Sequence, residues 1–95
     1  MPNRDRILKL TVITTDREPI SVECDSIHLT VKDNEKGHGG GCYGIRYGHE
    51  NAVIALGKGP LEAFEDGKSI LKLDCSEGFA RVEREKITAV IEKIG

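Results

Sequence analysis

The stretch Ser76–Glu92, SEGFARVEREKITAVIE, decides the fold class of this chain. Two periodicities compete within it. Ile87, Val90 and Ile91, continued by Ile94, satisfy the i, i+3, i+4, i+7 spacing of an amphipathic helix. Against this, Ile87, Thr88, Val90 and Ile91 are β-branched, a side-chain type that loses freedom in a helix and fits a pleated surface. The composition tilts the reading to strand, with Gly78–Glu83 and Lys86–Glu92 as the arms of a hairpin about Arg84 and Glu85.

Working outward, the rest of the chain repeats that pattern of short β-rich runs and turn residues. In Ile7–Thr14, Leu8, Leu10 and Val12 alternate with Lys9, Thr11 and Ile13, the period-2 signature of a half-buried strand. Thr15–Pro19 supplies the turn. Ile20–Cys24 and Ser26–Lys32 read as the next strands, the second placing Ile27, Leu29 and Val31 against His28, Thr30 and Lys32. Asn51–Leu56 is a short apolar run closed by Gly57, Lys58, Gly59 and Pro60. Leu61–Phe64 and Ser69–Asp74 flank an Asp66-Gly67 step, a hairpin signal. Between the third strand and Cys42, residues 33–41 hold four of the 11 glycines, so a loop is expected there. The expectation is one all-β domain over residues 1–95, a sandwich or barrel.

Composition narrows the function classes. With 38% apolar and 32% charged residues the chain lies in the folded range, and at 95 residues it builds one modest core. Aromatic residues are 4% with no Trp, so no stacking platform for single-stranded nucleic acid is visible. The net charge of −2 comes from interspersed charges, which supply no basic stripe for phosphates or anionic lipid. There is no run of about 18 apolar residues and no charged-then-apolar start, and a cytosolic location without membrane insertion is expected. Cys24, Cys42 and Cys75 form neither a disulfide framework nor a zinc ribbon, and Cys24 and Cys75 are expected in or beside strands as reduced thiols.

Three constellations invite chemistry. Gly37-His38-Gly39-Gly40-Gly41 superficially resembles the oxyanion loop of lipases and esterases, yet that mechanism needs a G-x-S-x-G elbow that the sequence lacks. Nor does the loop lead into a helix that would cradle phosphate, since Cys42, Tyr43, Gly44 and Ile45 read as strand. His38, Cys42 and His49, with His28 or Cys75 as a fourth ligand, are the material for a small zinc site, although no recognised ligand spacing is met. The plainer reading solvates the histidines and treats Cys42 as a small apolar residue. Acid pairs such as Glu62 with Glu65 and Glu83 with Glu85 have no apolar surroundings to raise a pKa and read as solvated edges and turns. The Lys and Glu residues at the C-terminal end read as gatekeepers of an edge strand.

In order, the segments resemble the N-terminal β-domain of the epsilon subunit of rotary F-type ATP synthases, from about Leu8 to Glu92. LKLTVIT, a polar turn and ISVECDSIHLTVKD are similar to the family's opening. Gly44, Ile45, Gly48, His49, Leu56 and Gly59 match its Gly-Ile or Gly-Val, Gly-His, apolar strand and closing Gly. The most specific block is Ser76–Glu92, which resembles a Ser-x-Gly-Phe strand, a tight turn and a final Lys-Ile-Thr strand, and this settles the segment as β. Tyr47 and Asn51 stand where the family usually has proline, and Asn34–Gly41 is an insertion.

The resemblance implies a flattened sandwich of about ten short, mostly antiparallel strands without the family's C-terminal helical hairpin. It implies a subunit with no catalytic residues and no cofactor, coupling a gamma-type stalk to the membrane rotor ring during proton- or sodium-driven ATP synthesis, peripheral at the inner face of the cell membrane. The stalk is expected on a sheet face, where Ile13 and Val90 form an outward apolar set. A weaker ring contact is expected from Ile45, Tyr47, Gly48, His49 and Asn51, with Tyr47 giving contact area at low entropic cost. The alternatives are a stand-alone epsilon-like binding module, or a metal-binding domain using His38, Cys42 and His49.

Overall fold

The computed structural model describes residues 7–32 and 41–94. Segment 33–40, which includes His38 and all but the last residue of the expected loop, lies outside the described residues. The strands are β1 (Leu8–Ile13), β2 (Ile20–Cys24), β3 (Ser26–Thr30), β4 (Cys42–Arg46), β5 (Ala52–Leu56), β6 (Gly59–Glu65), β7 (Lys68–Cys75), β8 (Gly78–Glu83) and β9 (Lys86–Ile91). They form a five-stranded sheet, β2-β1-β9-β8-β5, and a four-stranded sheet, β4-β3-β6-β7. The chain is flattened, with extents of 41 × 30 × 22 Å. The all-β sandwich of the sequence reading is the observed architecture.

Alternation builds the layers. Leu8, Leu10 and Val12 of β1, Ala80 and Val82 of β8, and Ile87, Ala89 and Ile91 of β9 are buried and line the inner face of the larger sheet. Ile27 and Leu29 of β3, Ile45 of β4, and Leu61 and Ala63 of β6 meet them from the other sheet. Full burial of each Leu or Ile side chain contributes roughly 1.5–3 kcal/mol, so these few aliphatic residues supply the main driving force in place of aromatics. The chain passes between sheets at tight corners. At Asp25 the backbone N–H donates to Phe64 O (2.9 Å) and the carboxylate Oδ2 accepts from Asp66 N–H (2.7 Å).

Several expectations need correction. β9 is no edge strand: it lies between β8, antiparallel, and β1, in parallel pairing. Lys93 lies past β9, beside the end of β7: its N–H donates to Ser76 Oγ (2.9 Å) while its carbonyl accepts from Ser76 N–H (3.1 Å). Gly59 and Pro60 open β6 instead of closing a turn, opposite Cys75 and Asp74, and Thr30 Oγ1 donates to Pro60 O (2.9 Å). β3 ends at Thr30, with Val31 bridging Leu56 of the other sheet.

Candidate partner-binding surface

Register assembles a surface on the outer face of the five-stranded sheet. Ile13 stands beside Val90, Val90 beside Phe79, and Phe79 beside Ala55, so one apolar row crosses β1, β9, β8 and β5. Three strand spacings make this row roughly 14 Å long. Ile13 is 37% exposed and Phe79 45%, and Val53, one cross-strand position along β5, is 71% exposed. Toward the opposite strand ends the same face turns polar, with Ser21, Thr11, Thr88 and Arg81 in register and then Glu23, Lys9, Lys86 and Glu83. Thr11 and Ser21 hydroxyls share a hydrogen bond (3.3 Å), and Arg81 pairs with Glu83. An apolar centre with a polar margin is the anatomy of a protein interface. The sequence had singled out Ile13 and Val90. Phe79 and Ala55 were missed because their place in the row follows from pairing across three strands.

The Tyr47–Asn51 loop is a second, smaller feature at the other strand ends. Ile45 is fully buried, so it presents nothing to a partner and instead anchors the loop from inside the core. Tyr47 is 48% exposed, and Gly48 turns the chain at φ 90°, where a β-carbon is strained. His49 lies within 2.7 Å of both Glu50 O, through Nδ1, and Tyr43 Oη, through Nε2. A carbonyl only accepts, so the neutral ring carries its proton on Nδ1 and receives the Tyr43 hydroxyl at Nε2. Asn51 Oδ1 accepts from Arg84 N–H (3.0 Å), tying the loop to the β8–β9 turn, where Arg84 holds φ 56°. Tyr47 is thus the exposed large side chain of the set, while His49 and Asn51 hold the loop in place.

His38 lies outside the described residues, and the other ligands imagined for zinc are not gathered. Both ring nitrogens of His49 are engaged on the Tyr43 side of β4, and Cys42, its strand neighbour, faces the opposite side. His28 packs against the Phe64 ring at 4.8 Å. Among the described residues no three His, Cys, Asp or Glu side chains form a metal-binding group. Cys24 and Cys75 are buried, and burial, reinforced by Asp25 and then Glu65 in one case and by Asp74 in the other, pushes each thiol up to about 11. Such thiols are poor nucleophiles at neutral pH.

The chain matches no protein-family model and no curated protein sequence significantly. Its fold is shared with chains of mitochondrial ATP synthases. One belongs to the cryo-EM structure of the Euglena gracilis enzyme, OSCP/F1/c-ring, with a TM-score of 0.72 and 27% identity over 93% of this chain and 52% of that one. Another belongs to the Tetrahymena thermophila enzyme's central stalk/c-ring structure, with a TM-score of 0.67 and 10% identity over 93% of this chain and 65% of that one. The second likeness speaks to fold alone. This chain spans about half to two thirds of the length of these relatives.

Proposed function

We propose that this chain is an epsilon-type subunit of a rotary F-type ATP synthase, a non-catalytic coupler between a gamma-type stalk and the membrane rotor ring. The observation that carries the reading is the likeness over 93% of the chain, at 27% identity, to a chain of an ATP synthase assembly. The Ile13–Val90–Phe79–Ala55 row supports that reading, because an exposed apolar centre with a charged margin suits a stable protein partner better than a small molecule. In this reading the stalk covers the outer face of the five-stranded sheet and Tyr47 reaches the ring. Proton or sodium coupling and a position at the inner membrane face follow from the complex; among the described residues no helix is long and apolar enough to cross a membrane.

The experiment is a pair of binding measurements on the same protein. Isolated stalk subunit is expected to bind at micromolar concentration. Replacing Tyr47 and His49 together with Ala is expected to leave that binding nearly intact while reducing attachment to the complete rotor. Failure of the unmodified chain to bind the stalk would remove the coupler assignment.

A further inference from the structure

The charged row on the outer face of the five-stranded sheet places like charges side by side. Lys9 of β1 and Lys86 of β9 stand abreast in the parallel ladder, with Glu23 beside Lys9 and Glu83 beside Lys86. All four are exposed. Adjacent strands lie about 4.8 Å apart, so the two ammonium groups are rooted one spacing from each other, an unfavourable arrangement for like charges. Glu83 is engaged by Arg81, and among the described residues neither lysine takes part in an ion pair. A depression of about 460 Å³, lined by Lys9, Thr11, Ser21 and Glu23, opens between β1 and β2 beside the pair. Area requires a partner on this face to reach that row. A stable interface takes roughly 20–30 residues from each side, whereas the apolar row supplies Ile13, Val90, Phe79 and Ala55.

Resting on the stalk reading above, we infer that the stalk segment on this face carries an acidic side chain about 13 Å from its apolar anchors, and that its carboxylate sits between Lys9 and Lys86. The spacing follows from the strands, since Lys9 lies four residues from Ile13 and Lys86 four from Val90. The incoming carboxylate relieves the repulsion between the lysines as it binds them. Charge pattern selects a single such group. Glu23 and Glu83 confine the positive region to one strand spacing, so a nucleic acid or an array of anionic lipid heads would meet like charge on both sides. The pair also sets register: a segment slid by two residues toward Ile13 and Val90 would bring its carboxylate over Thr11 and Thr88, which offer no charge. The apolar row thus supplies the contact area at the centre, and the lysines fix how the stalk segment lies along the strands.

Titration of isolated stalk subunit against the unmodified chain and two variants, at about 0.05 M and about 0.5 M salt, tests it. Lys9→Gln combined with Lys86→Gln is expected to weaken binding about tenfold at the lower salt, chiefly through slower association. At the higher salt, where the screening length falls to about 4 Å, this variant and the unmodified chain should bind nearly alike. Glu23→Gln is expected to tighten binding about twofold at the lower salt, because it removes a charge that repels the incoming carboxylate. Both variants change exposed side chains only and should keep the melting temperature of the unmodified chain. No binding by the unmodified chain would overturn the stalk reading and this inference with it. Binding that the paired glutamines leave unchanged at the lower salt, or that Glu23→Gln weakens, would overturn this inference alone.

Discussion

Cys24 closes β2 and Cys75 closes β7, each with its thiol turned into the core, whereas Cys42 opens β4 exposed. Burial holds the first two protonated to about 11, above their ordinary 9.0. A folded-state pKa above the unfolded one contributes stability that is fully present below about pH 9 and is lost as pH rises toward 11. The urea midpoint should therefore fall over that window, and more steeply than in a variant with both residues replaced by Ala. Equal slopes would contradict the account. At neutral pH a thiol reagent should modify one cysteine at once and the other two only as the chain unfolds. The sequence foretold that Cys24 and Cys75 lie in or beside strands, but not that both thiols turn into the core. It did not foretell that His49 would be held by Tyr43, a contact made across a turn.

β9 shows why the deciding stretch was ambiguous. Ile87 and Ile91 face the core, Val90 joins the outer apolar row, and Ile94 lies past the strand in the bridge to Cys75. A strand flanked on both sides, apolar on parts of both faces, reproduces helical spacing by coincidence. Gly78 resolves it physically. A β-carbon there would come within 2.1 Å of Val90 O and 2.8 Å of Ile91 Cα, backbone atoms that have no rotamer to yield. Gly78→Ala should therefore destabilise by about 3 kcal/mol, the upper end of overpacking costs, and lower the melting temperature by more than 10 °C for a domain this size. An unchanged melting temperature would contradict the β8–β9 register.

At the scale of the whole molecule, alternation and turn chemistry made the strands and the sandwich legible, because each is a local signal. Sheet order was not, since the parallel β1–β9 pairing joins residues nearly a chain length apart. The same limit hid the site: Ile13 and Val90 could be read as outward-facing, but their union with Phe79 and Ala55 required the order β1-β9-β8-β5. Order also separates two features that neighbour each other in sequence. Lys32 and Gly41, which flank segment 33–40, sit at one end of the β3–β4 pair, and Tyr47–Asn51 lies beyond the other. The central claim is that the outer face of the five-stranded sheet carries the stalk. Titrating isolated stalk subunit against the unmodified chain and against Phe79→Asp, a substitution at an exposed position, tests it most directly. The account predicts micromolar binding that weakens by a factor of roughly 30 or more, equivalent to about 2 kcal/mol for one interface anchor, with the melting temperature nearly unchanged. Equal affinities for the two proteins would contradict it.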